Sequence, residues 1–277
     1  MSERLAPKLR KIGEVRSGPE GEVATIVYNR RGVRFASQDG RAKMASKRYK
    51  NKTCAYCGKL GASQSGDHVF AREFFLERDR GNLPQVPACV DCNNKKSALE
   101  TYLLQLMPLG ANHPAAHESV RTLMPKRAAH HGNKALLDVL NGPDATVFLI
   151  DQSGQRQQRI PVLIDANKLQ DWCGLVARGL ANFHWGVATP NYSVEVMPLT
   201  PEVERHILEL ASSRKNGGHI EGSIGDGTFE YRGFMCGDGE PASLWMIDLY
   251  GRMPIGGDPD FSRACAATWA VFITPAF

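Results

Sequence analysis

From Asn93 to Met107, apolar residues return at three- and four-residue intervals: Ala98, Leu99, Tyr102, Leu103, Leu106 and Met107. This spacing predicts a helix with one apolar face, ended by Pro108 and Gly110. A second helix is predicted after Asp165, a residue able to cap it, with Leu169, Trp172, Cys173, Val176, Leu180 and Phe183 on the buried side. Thr200-Pro201-Glu202 marks a third helix start: an N-cap, a proline in the first turn, then an acid at the positive dipole end. Strand-like runs occur at Glu22–Tyr28, Val33–Phe35, Thr146–Ile150, Ile160–Ile164, Thr228–Met235, Ser243–Tyr250 and Ala267–Thr274. Between the first two helices, residues 111–144 carry proline and glycine breaks with room for short helices, one at Lys134–Leu140.

The pattern predicts an α+β protein in four parts. Residues 1–52 form a basic arm with a possible hairpin. Residues 53–110 form a cysteine-bearing module, 111–144 a helical bridge, and 145–277 a second α+β domain. Apolar residues are 42% of the chain, enough for a core, and 23% are charged, which argues against global disorder. The chain has no apolar run of membrane-spanning length and no apolar segment behind its basic first residues, so a cytoplasmic protein is expected.

Charge is unevenly placed. The net +5 divides into +9 over residues 1–52, zero over 53–100 and −4 over 101–277. Such an arm suits contact with phosphate as well as it suits a solvated tail. Arg48, Lys50 and Lys52 lie at its end and lead directly into Cys54.

Four of the seven cysteines form two CxxC pairs, Cys54/Cys57 and Cys89/Cys92, with 31 residues between them. Each pair puts two thiolates on one side of a tight turn. Two pairs supply four soft donors, the set that suits a structural Zn2+. Cys173, Cys236 and Cys265 are scattered and read as free thiols.

Inside the loop closed by the cysteines lies Gly66-Asp67-His68-Val69-Phe70, and after the last cysteine comes Asn93-Asn94-Lys95-Lys96. A lone Asp-His pair means little, but a metal staple would bring this pair against the first turn of the predicted helix. Asp67 and Asn93 could then offer oxygen donors to one divalent cation.

With these residues the segment resembles the HNH endonucleases, the ββα-metal nucleases, in their zinc-containing form. The resemblance rests on Cys54, Cys57, Asp67, His68, Val86-Pro87-Ala88-Cys89, Cys92 and Asn93 to Lys96, and covers about fifty residues. It implies that Asp67 and Asn93 hold a catalytic Mg2+ or Mn2+, that His68 is the general base, and that the four cysteines hold zinc. One position departs. The family's middle Asn, which steadies the loop carrying the His, falls here on Pro84, and the nearest candidate is Asn82, two residues earlier.

The function implied is hydrolysis of nucleic-acid phosphodiesters, DNA before RNA, with no membrane partner. Arg72, Lys95 and Lys96 are candidate phosphate contacts, or equally a solvated edge. Two other readings are a zinc-containing nucleic-acid-binding protein without the chemistry, and a nuclease gated by a sensing C-terminal domain.

Overall fold

The computed structural model describes residues 10–16, 23–28, 47–111, 113–131, 147–150, 156–159, 164–213, 218–235, 242–255, 265–266 and 268–275. The chain divides into two compact units, Met1–Met44 and Ala45–Phe277.

In the first unit, β1 (Arg10–Arg16) and β2 (Val23–Tyr28) pair antiparallel, with a register irregularity between Lys11 and Glu14. The strand predicted at Glu22–Tyr28 is present, but its partner lies upstream, in a stretch whose basic residues mask the alternation. Val33–Phe35 lies outside the described residues.

The second unit opens with β3 (Ser65–His68) and β4 (Gln85–Ala88), antiparallel, with Ser65 opposite Ala88 and His68 opposite Gln85. The helix α1 (Val90–Gly110) follows, then α2 (Pro114–Thr122) and α3 (Met124–His131). The helix ends at Gly110 as predicted, after running through Pro108. With only two helical residues left beyond it, the proline forfeits a bond in the last turn, where Leu106, Met107 and Pro108 are buried. Lys134–Leu140 and residues 160–163 lie outside the described residues.

Next come a hairpin of β5 (Val147–Ile150) with β6 (Arg156–Arg159), and the long helix α4 (Ala166–Trp185). Asp165 caps α4 as predicted, its Oδ1 accepting from the backbone N–H groups of Asn167 (3.0 Å) and Lys168 (3.2 Å). Gly186, at φ +69°, ends it in the left-handed region that glycine tolerates. Leu169, Trp172, Cys173, Val176 and Leu180 are buried as expected. Phe183 is not, being 49% exposed at the end of the helix.

After α4 come β7 (Tyr192–Leu199), α5 (Pro201–Ser213), β8 (His219–Ile224), β9 (Phe229–Met235), β10 (Ser243–Leu249), the short pair β11 (Pro254–Ile255) and β12 (Cys265–Ala266), and β13 (Thr268–Pro275). Five of these strands build one antiparallel sheet in the order β7-β13-β10-β9-β8. The architecture is mixed helix and sheet. Among the described residues no helix is long and apolar enough to cross a membrane.

The predicted boundary between 53–110 and 145–277 is not a boundary of packing. Phe70, Phe74 and Phe75, just after β3, pack against Phe229 of β9 in tilted and edge-on contacts, with ring centroids 4.3, 5.6 and 5.4 Å away. Trp172 of α4 joins them, 5.5 Å from Phe74. One core therefore runs from the cysteine segment through α4 into the sheet. A segment of about fifty residues has too little interior to bury three such rings alone.

Candidate functional site

The two CxxC pairs meet. The Sγ atoms of Cys54, Cys57, Cys89 and Cys92 all lie within 4.8 Å of one another, and all four cysteines are free. Backbone bonds build the two turns. Gly58 N–H donates to Cys54 O (2.9 Å), Cys54 N–H to Lys59 O (3.1 Å) and Asn93 N–H to Cys89 O (3.0 Å). Gly58 holds φ +66°, and a Cβ there would strike Pro190, which roofs the first turn. The second pair is the N-terminus of α1: Cys89 is its N-cap and Cys92 lies in its first turn, where the helix dipole favours thiolate.

The donor set can be tested against a metal. Zinc–sulfur bonds of about 2.3 Å in tetrahedral geometry require sulfurs about 3.8 Å apart. Cys57 Sγ and Cys89 Sγ are 3.8 Å apart. The four cysteines fit one ion of that kind.

The thiols differ in acidity. Burial raises Cys54, but hydrogen bonds from the backbone of Cys57, Cys89 and Tyr56 outweigh it and hold the thiol below the usual range. Burial pushes Cys57 and Cys92 up, helped by the neighbouring thiols. Cys173 lies apart on α4, its thiol pushed up to about 12 by burial, and reads as packing.

Beside this cluster, β3 and α1 share a buried polar group. The ammonium of Lys96 is inaccessible to solvent and contacts Glu100 Oε1 (2.5 Å), His68 O (2.8 Å) and Asp67 Oδ2 (3.3 Å). Tyr56, in the first turn, donates its hydroxyl to the same Asp67 oxygen (2.5 Å), and Glu100 Oε1 also accepts from Ala71 N–H (3.1 Å). Burial pushes the Glu100 carboxyl up to about 7 against the pull of Lys96, and pushes the Tyr56 phenol well above its usual range. Every donor of Lys96 is therefore used internally. The phosphate contact expected of this lysine is replaced by an ion cluster that fixes β3 on α1.

His68 is half-buried. Its Nε2 lies 2.8 Å from Gln85 Nε2, directly across the β3–β4 ladder. Burial, followed by the positive charge of Arg72, holds the imidazole below the usual histidine range, while Asp67 pulls the other way. Both effects, burial and Arg72, favour the neutral ring. Asn82 is exposed in a turn at φ +54° and has no bond to His68. At position 84 only the backbone takes part: Pro84 O accepts from Val69 N–H (2.9 Å). Gln85, which the sequence reading overlooked, is the side chain that meets the ring. Its signal was indirect, since only the strand register shows that it faces His68.

Asn93 lies on α1 one turn before Lys96, hence on the same helix face, and is half-buried. Lys95 points elsewhere, pairing with Asp171 of α4 (2.9 Å). Arg72, Arg48, Lys50 and Lys52 are exposed. A 3-10 turn at Lys47–Tyr49 packs on the β3–β4 hairpin, and the Tyr49 ring fills the space a side chain at Gly66 would need. Basic side chains thus flank the Asp67–His68 strand.

Helix α4 closes the other side. Arg178 donates from Nη1 to Tyr56 O (3.2 Å) and from Nη2 to Tyr192 O (2.8 Å), strapping the first cysteine turn to β7. Gly179 permits this approach, since a Cβ there would lie 3.1 Å from Val69. No protein-family model, curated protein or solved structure matches the chain.

Proposed function

We propose that this protein is a metal-dependent HNH-type endonuclease that hydrolyses nucleic-acid phosphodiesters, DNA before RNA, around a structural zinc held by Cys54, Cys57, Cys89 and Cys92. The observation that carries the reading is His68: a half-buried imidazole, its basicity lowered by burial, on a strand pinned beside the four-cysteine cluster and flanked by basic side chains.

The residues divide the work as follows. His68 takes a proton from the attacking water, for which a neutral ring near its working pH is suited. Gln85 orients the ring. If the Gln85 amide nitrogen donates, it engages the Nε2 lone pair and the proton sits on Nδ1. If the amide is turned over, its oxygen accepts from Nε2–H and leaves Nδ1 free as a base. Catalysis requires the second orientation. Tyr56 and Lys96 occupy Oδ2 of Asp67, which leaves Oδ1, and the Asn93 side chain makes no bond to the described residues. These two oxygens would hold Mg2+ or Mn2+. Such a cation supplies Lewis-acid stabilisation of the phosphate and the leaving oxygen. Arg72, Arg48, Lys50 and Lys52 bind and position the phosphate backbone.

A second reading, a zinc-containing nucleic-acid-binding protein without the chemistry, is favoured by Pro84 at the middle position and by Lys96 on one Asp67 oxygen. Plasmid nicking with the zinc-loaded protein separates the two. Nicking that needs added Mg2+ or Mn2+ and is lost in His68→Ala supports the nuclease. Binding to DNA with no nicking under any cation supports the second reading.

A further inference from the structure

Four thiolates outweigh the charge of one Zn2+, so a metal loaded on the four cysteines leaves a negative centre. In a partly buried place such a centre is costly without a cation nearby. The lysines around it are committed elsewhere. Lys96 is spent on Asp67 and Glu100, and Lys95 pairs with Asp171. Lys59, at the end of the first turn, is exposed to solvent.

Arg178 is placed differently. It is half-buried on α4, between the buried Val176, Ala177 and Leu180. Its Nη groups donate to Tyr56 O, beside Cys57, and to Tyr192 O. Both acceptors are neutral carbonyls, so neither bond cancels the charge. Among the described residues no carboxylate pairs with it, and its Nε is buried without a hydrogen-bond partner. Burial pulls the guanidinium down, and the charge that opposes this is that of Cys92, in the second cysteine pair. One cation therefore touches the turn of the first pair and acts on a thiol of the second.

A strap between the first turn and β7 accounts for the two Nη bonds. It does not account for a cation, since neutral donors would serve two carbonyls at less cost of burial. We infer that Arg178 is a positioning residue for the metal centre: the fixed counter-charge of the loaded cluster, which stabilises its thiolates and tightens zinc. This rests on zinc at the four cysteines and is independent of the nuclease chemistry.

The test is zinc affinity of the full chain at neutral pH, read by competition with a chromophoric chelator, in wild type, Arg178→Lys and Arg178→Gln. Lysine restores the charge but cannot fork to both carbonyls, whereas glutamine keeps a donor and drops the charge. Arg178→Gln should weaken zinc by about 10–100-fold, while Arg178→Lys stays within about threefold of wild type. With Co2+ in place of zinc, the sulfur-to-metal charge-transfer band should move to longer wavelength in Arg178→Gln alone. A mere strap would weaken zinc alike in both variants and leave the band in place. That result overturns the inference, as does wild-type affinity in Arg178→Gln. Should Arg178→Gln not fold, Arg178→Lys decides: affinity within the stated range supports the counter-charge, and a greater loss overturns it. A wild type that binds no zinc removes the cluster and the inference with it, whereas zinc binding that ignores Arg178 removes the inference alone.

Discussion

Lys96 Nζ lies 3.3 Å from Asp67 Oδ2, and neither the helix nor the strand that carries them lets solvent reach the ammonium. The pair joins the first residue of the Asp-His motif to the first turns of α1. The same ammonium holds Glu100, so one cation serves two carboxyls and a backbone carbonyl. Removing it leaves a buried acid cluster without its counter-charge. Lys96→Met, similar in length, should therefore lose about 3–5 kcal/mol of stability. Urea unfolding of the zinc-loaded protein measures this, and a change below about 1 kcal/mol would show that the cluster is not buried as described.

Glu100 gives the cluster a pH signature. Its folded pKa, about 7, stands above the ordinary 4.5 because of burial. The folded state therefore binds the proton more tightly than the unfolded chain does. The stability this contributes is complete below about pH 4.5 and is lost as pH rises through 7, a fall on the order of 3 kcal/mol. Glu100→Gln should flatten the stability curve across that window. An identical slope in wild type and variant would assign the titration to another group.

The helices were readable where one face repeats. α4 and its Asp165 cap follow directly from the apolar spacing and an acid before it. The cysteine cluster was equally legible, because CxxC spacing sets local geometry. Strands β7 and β8 escaped notice: Tyr192–Leu199 alternates, but Pro198 and Glu195 dilute the apolar rows, and His219–Ile224 is mostly polar. Long-range relations were the least visible. Nothing in the chain announces that Gln85 faces His68 or that Lys96 turns inward, since both depend on strand register and on how α1 lies against β3. The core shared by the cysteine segment, α4 and the sheet was equally invisible, since Phe229 is far in sequence from the rings it covers.

Metal binding at the four cysteines should release protons. Burial keeps Cys57 and Cys92 protonated at neutral pH, while Cys54 is the readiest thiolate. An ion takes all four as thiolates, so affinity rises with pH, by about tenfold per pH unit for each proton released. Competition with a chromophoric chelator at pH 6 and pH 8 should show much tighter zinc at the higher pH. Cys89→Ser should lose the ion together with cooperative unfolding. One zinc per chain in that variant, held with wild-type affinity, would remove the cluster from the account.

The contact between His68 and Gln85 bears on the proposed nuclease activity, and the following holds if that activity is present. Gln85→Leu removes the partner of Nε2 and frees the ring to turn, so cleavage should fall by about 10–100-fold with little change in stability. Gln85→Glu has a different effect. A carboxylate at that place can only accept, so it fixes Nε2–H and leaves Nδ1 as the base, the orientation catalysis needs. It also stabilises the imidazolium, raising the His68 pKa from its depressed position. Since the neutral ring is the active form, the acid limb of the pH–rate profile should move to higher pH, with activity kept on the alkaline side. NMR titration of the His68 ring reads the same shift without reference to turnover. Should the ring titrate identically in wild type and Gln85→Glu, the 2.8 Å contact is not formed in solution and Gln85 does not position the base.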